Sequence, residues 1–144
     1  MEAGDLAESF YDTSTNVCTL PVGGGAELAV FGIPESDDLF VAVDLMRIER
    51  NSAKSELFAL CMEMNAYALQ TRGGTVGFDA EREKLVLTYR IAVSLIDVEV
   101  LSRIVSNLID AAGALRRRLK DAAAKQDRAL DLETERDEPM FLKG

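Results

Sequence analysis

Few residues in this chain are equipped for chemistry, and their spacing does not favour catalysis. There is no histidine, so a Ser-His-Asp triad, a Cys-His pair and an HExxH zinc site are all excluded. Cys18 and Cys61 stand far apart, in no C-x-x-C arrangement, and each is flanked by apolar residues. A reduced thiol in such a setting behaves as a small hydrophobe, so two free thiols are expected in preference to a disulfide. Gly23-Gly24-Gly25 has the freedom of a phosphate loop but lacks the G-x-x-x-x-G-K-[ST] spacing, and no helix follows it. It reads as a hairpin connection. Asp37-Asp38, and the set Asp131, Glu133 and Glu135, would need to converge to hold a divalent cation, and no D-x-[DN]-x-[DN]-G loop is present. Arg116-Arg117-Arg118 reads as a solvated helix end, with a docking site for an acidic partner as the alternative. No enzyme, metal or cofactor is expected.

The elements that must position these residues belong to one domain of 144 residues, 48% apolar and 28% charged. A net charge of −9 argues against a nucleic-acid footprint, which needs a basic surface to displace condensed counterions. Residues 1–56 carry eleven acidic side chains against three basic ones, so this section presents an acidic surface. The N-terminus lacks the basic and apolar regions of a signal peptide, and no apolar run approaches the ~18 residues of a membrane helix. A cytoplasmic protein without membrane insertion is expected.

Periodicity predicts α+β architecture. Leu6 and Phe10 suggest a short helix over 3–11. Extended segments follow at 17–22, with Pro21 marking an end or an edge, and at 26–33. The strongest strand is 39–48, apolar on both faces and therefore read as central and covered on both sides. A helix capped by Asn51 or Ser52 runs to about Gln70 and ends at Gly73-Gly74. A hairpin joins 75–78 to 85–91, and Asp97 caps a last helix with Leu101, Val105, Leu108, Ala112, Leu115 and Leu119 on one stripe. Residues 1–127 form the domain, and 128–144 read as a charged, mobile tail.

With the order α-β-β-β-α-β-β-α in place, the sequence resembles the class I chaperones of bacterial type III secretion, the Tir-chaperone-like family. The resemblance rests on Gly73-Gly74-Thr75-Val76-Gly77-Phe78-Asp79, followed after four residues by Lys84-Leu85-Val86-Leu87. The apolar helix around 57–65 and Ile96-Asp97-Val98-Glu99-Val100-Leu101 are similar to the family's second helix and to the entry of its last. The match spans roughly residues 17–120. It implies a twisted, mainly antiparallel sheet with flanking helices, in a homodimer that holds the N-terminal chaperone-binding region of a type III secreted effector in extended form. A secretion ATPase complex is a further partner for Arg116-Arg117-Arg118.

The residues that would do this are apolar. In helix 52–70 one stripe (Leu57, Leu60, Cys61, Met64, Ala68) covers the domain's own sheet. A second (Phe58, Met62, Asn65, Leu69) then needs another surface, and with Val76 of the hairpin it forms the expected dimer interface. Val30, Phe31, Phe40 and Met46 on the sheet form the expected effector-binding groove, where an extended client pairs its backbone with a strand edge. Two other readings stay open. One is an adaptor of the same fold that titrates another secretion protein; the other is a small ligand-binding α+β domain.

Overall fold

The computed structural model describes residues 10–49 and 54–136. Along the chain come β1 (Phe10–Asp12), β2 (Val17–Val22), β3 (Ala26–Gly32), β4 (Asp38–Arg47), α1 (Ser55–Asn65), β5 (Thr75–Asp79), β6 (Lys84–Ala92) and α2 (Val98–Arg136). All six strands form one antiparallel sheet in the order β1-β2-β3-β4-β6-β5. The helix expected over 3–11 lies outside the described residues except at its end, where Phe10 and Tyr11 are in β1 and pair with Thr19 and Cys18. The turn after β1 explains that pairing. The Asp12 carboxylate accepts from the hydroxyl and the N–H of Ser14, at 2.6 and 2.8 Å, which holds its carboxyl below the ordinary value. The expected cap at Asn51 or Ser52 also lies outside the described residues.

Glycine sets two of the junctions. Gly24 and Gly25 have φ of 74° and 75°, which lets β2 reverse into β3 over three residues, as the hairpin reading requires. At Gly74 the need is space: a Cβ there would stand 2.8 Å from the carbonyl oxygen of Thr88 and 3.2 Å from that of Thr71.

One face of the sheet carries Leu28, Val41, Val43, Leu85 and Leu87, all fully or almost fully buried. Against them α2 presses Leu108, Ala111, Ala112, Leu115 and Leu119, and α1 adds Leu57, Cys61 and Met64. The two alanines let α2 lie close to the strands, and each buried leucine contributes about 1.5–3 kcal/mol. Asp97 caps α2 as expected, accepting from the N–H of Val100 at 2.7 Å. The helix runs unbroken to Arg136, so residues 128–136, read from sequence as the start of a tail, are helical and exposed. Only 137–144 of that segment lie outside the described residues.

Three expectations need correction. The helix expected to reach Gln70 ends at Asn65, and Tyr67 and Ala68 turn into left-handed backbone with φ of 60° and 54°. Alternation along 39–48 sets Leu39, Val41, Val43 and Leu45 against Phe40, Ala42, Met46 and Ile48, but a bulge between Asp44 and Met46 redirects the side chains beyond it. Finally, β4 is central, between β3 and β6, but the described helices cover only one of its faces.

Candidate functional site

The uncovered face of the sheet is built by alternation: residues whose neighbours point into the core point the other way. Phe31 of β3 and Phe40 of β4 are cross-strand partners with rings stacked 5.7 Å apart and 13° from parallel. Arg90, opposite Phe40 on β6, lies 5.8 Å from its ring centroid, a cation–π contact. The Asp38 carboxylate holds that guanidinium in place, accepting from Arg90 Nε at 2.6 Å. Beside this stack a hollow of about 230 Å³ is lined by Val17, Thr19, Ala29 and Ala42, with Glu27, Asp44 and Arg82 at its charged margin. The surface is a shallow apolar trough edged by charge.

Of the four residues expected in the groove, Phe31 and Phe40 are on this face and in contact. Val30 and Met46 are not. Val30 pairs with Val41 on the helix-covered side, and the bulge sets Met46 opposite Leu85 on that same side, where both pack against the core.

The second surface lies between α1 and β5. Phe58 and Phe78 meet edge to face, ring centroids 5.6 Å apart at 66°. With Met62, Val76 and Cys61 they line a cleft of about 170 Å³, and burial pushes the Cys61 thiol above its ordinary pKa. Four of the expected residues meet here, Phe58, Met62, Asn65 and Val76, but Asn65 has an intrachain role. Its amide nitrogen donates to the carbonyl of Val76 at 3.0 Å, and its oxygen accepts from the Val76 N–H at 2.7 Å. A single side chain thus satisfies the outward backbone groups of an edge strand, as a neighbouring strand would. Val76 itself is buried. Leu69 lies past the end of α1, off the expected stripe, and is 80% exposed, alongside Met62 at 73% and Tyr67 at 93%. Tyr67 was missed by periodicity because its exposure depends on the left-handed turn.

A charged cluster also escaped the sequence reading. Asp44, only 9% exposed, accepts from Arg82 Nη2 at 3.0 and 2.9 Å and from Lys84 Nζ at 2.8 Å. Arg116 donates to the Asp44 carbonyl at 2.7 Å, and Arg118 bonds the Gln70 side chain. Two arginines of the Arg116-Arg117-Arg118 run therefore tie α2 to the rest of the fold. The one sequence signal for this cluster was an aspartate inside an apolar strand.

The profile of the Tir chaperone protein (CesT) family matches residues 3–116. The chain belongs to that family. Solved structures share the fold of this CesT-family chain. The ExsC–ExsE complex matches at TM-score 0.63 and 19% identity, covering 74% of this chain and 77% of that one. The HopA1–SchA chaperone–effector complex matches at 0.56 and 16%, over 76% and 80%. The heterodimeric ExoU–SpcU complex from the type III secretion system of Pseudomonas aeruginosa matches at 0.56 and 17%, over 74% and 86%. A search of curated proteins returned no significant match. Among the described residues no helix is long and apolar enough to cross a membrane, and no three potential metal ligands cluster.

Proposed function

We propose that this CesT-family protein is a cytoplasmic type III secretion chaperone, a homodimer that keeps the N-terminal segment of a secreted effector extended and competent for export. The observation that carries the reading is the Phe31–Phe40 stack on a sheet face that no described element covers. An extended client laid on that face would place alternate apolar side chains over the stack and in the adjoining hollow. The outer edge of β2 offers backbone pairing, because β1 spans only Val17 to Thr19 and leaves Leu20–Val22 open among the described residues. Pro21 withholds one N–H from that stretch, which limits pairing to its neighbours. Acidic surface in the first third of the chain steers basic client segments towards it.

The exposed Met62, with Phe58 and Phe78 and the cleft they border, is the proposed dimer surface. A stable association there would bury on the order of 1,200–2,000 Å². Nothing in the reading requires catalysis, and the family and the chaperone–effector complex among the structural matches support a binding role. Arg117, exposed beside its two engaged neighbours, is what remains of the arginine run for contact with the secretion ATPase complex.

The test is co-expression with effectors encoded beside this protein's gene, followed by purification and light scattering. Wild type should carry one effector segment per dimer. Phe40→Glu should keep the dimer but weaken capture about 10- to 100-fold, the equivalent of losing one buried aromatic contact. Undiminished capture by Phe40→Glu refutes the assignment of the client surface.

A further inference from the structure

The glycine hairpin between β2 and β3 has no place in the reading above, yet it opens a second groove on the opposite side of the sheet. Ile109, Gly113, Arg116 and Lys120 follow at intervals of four, three and four along α2, which sets them in one line on the helix. That line faces the hairpin, whose glycines leave the space beside it unfilled. At one end Val22, Val43, Ile109 and Gly113 line an apolar hollow of about 220 Å³ that reaches Arg116. At the other a cleft of about 260 Å³ runs from Arg116 to Lys84, Arg47 and Lys120 beside Gly24 and Gly25. Arg116 is common to both.

The charge of the second cleft runs against the molecule. The chain carries −9 overall, but four cations border this cleft and its one carboxylate, Asp44, is already engaged by Arg82 and Lys84. The Arg116 guanidinium gives one N–H to the Asp44 carbonyl, while its buried Nε has no partner among the described residues. Lys120 is exposed and likewise has no ion pair there. The Arg116 Nε is sealed from solvent, so a carboxylate entering the cleft meets the Arg116 Nη groups beside the exposed Lys120 ammonium, two cations that can share one carboxylate. An apolar hollow continuous with such a cleft fits a polypeptide that places an acidic side chain next to an aliphatic one.

We infer that this groove is a docking site for an acidic-apolar segment of a partner polypeptide, with a carboxylate on Arg116 and Lys120 and an aliphatic side chain over Gly113. The groove shares only Asp44 with the client face, on the opposite side of the sheet, and its test does not depend on that face.

The test uses a fluorescein-labelled hexapeptide alternating leucine and glutamate, followed by anisotropy at low salt. A control peptide carries glutamine in place of glutamate. Saturable binding is expected, with the glutamine peptide at least about tenfold weaker and the affinity falling with salt. Two variants probe the two ends without touching the core. Lys120→Glu reverses an exposed charge. Gly113→Leu fills the hollow, where a Cβ meets nothing nearer than the Arg117 guanidinium at 3.9 Å. Each should weaken the peptide by about tenfold, while phosphate should compete only at far higher concentration. The inference is overturned by no saturable binding up to about 1 mM, or by equal affinity for the glutamine peptide. Binding indifferent to Gly113→Leu but displaced by low phosphate also overturns it, since the cleft is then a bare anion site.

Discussion

Asn65 offers the sharpest test of the structure, because the helical stripe assigns it to an interface whereas its side chain is bonded to the edge strand β5. Asn65→Ala removes an amide that donates at 3.0 Å and accepts at 2.7 Å on the two outward backbone groups of Val76. Val76 is 6% exposed and lies under α1, so water does not readily replace the lost partner. A buried backbone group left unpaired costs about 1–3 kcal/mol, and two are freed here, partly relieved by the space the side chain vacates. The expected destabilisation is about 2–4 kcal/mol, a fall of about 1–2 M in urea midpoint for a slope near 2 kcal/mol/M. Global unfolding alone cannot locate the loss. Amide exchange can: the Val76 N–H should lose protection by at least about 30-fold, the equivalent of about 2 kcal/mol, whereas the Leu28 and Val41 amides should change only as much as global stability does. Unchanged Val76 protection together with an unchanged midpoint would refute the strand-mimicking role and return Asn65 to the dimer surface.

Three further outcomes follow from the same contacts. Asp44→Ala leaves Arg82 and Lys84, 45% and 34% exposed, without their carboxylate and should cost about 1–2 kcal/mol in chemical denaturation once solvent screening is counted; an unchanged midpoint would mean that the cluster contributes nothing to the fold. Met62→Glu should split the proposed dimer, given that the side chain is 73% exposed and outside the core cluster; an unchanged mass by light scattering removes the α1–β5 surface from the proposed interface. Iodoacetamide at pH 8 should label Cys18 well before Cys61, because burial both shields the Cys61 thiol and raises its pKa. The sign follows from the direction of that shift. The folded state holds the Cys61 proton more tightly than the unfolded chain does, so its share of stability is present below the unfolded thiol pKa and declines as pH rises through the folded one. Equal labelling rates contradict the packing of α1.

Much of the fold was legible because its local signals and its long-range packing agree. Asp97 reads as a cap and is one; Leu108, Ala112, Leu115 and Leu119 read as one stripe and are buried together. Gly73-Gly74 reads as a helix stop, but α1 has already ended at Asn65, and the pair instead shapes the entry to β5 through a φ of 89° at Gly73 and a carbonyl 2.8 Å from any Cβ at Gly74. The failures share a cause. A bulge, a left-handed turn at Tyr67 and an amide that imitates a strand are each single-residue departures from a period, and a periodic reading carries Met46, Leu69 and Asn65 straight past them. The candidate site was half legible for the same reason. Phe31 and Phe40 precede the bulge and share a face, whereas Met46 follows it. Val30 was grouped with Phe31 although adjacent residues on a strand point to opposite faces.

The misreading of β4 is the more instructive one. Apolar residues on both faces of a central strand argue that both faces are covered, and that inference is sound for a folded chain in isolation. Here the helices bury Val41 and Val43 while Phe31, Phe40, Ala29 and Ala42 meet no described element on the other side. The composition of the strand is therefore right for a two-sided environment of which the described residues supply one side. Surface of this kind is stable in water only while its area stays small or something joins it. Arg90 and Asp38 limit that area at one end by laying charge over the Phe40 ring, and Glu27, Asp44 and Arg82 limit it at the other. Charge at both ends with an apolar middle matches an occupant of narrow width, such as one extended strand. A second sheet or a packed helix pair would be forced to desolvate both charged ends. The distribution of polar groups thus supports the proposed peptide on this face and leaves the proposed dimer contact to the α1–β5 surface, where no charged residue lines the cleft beside Phe58, Phe78 and Met62.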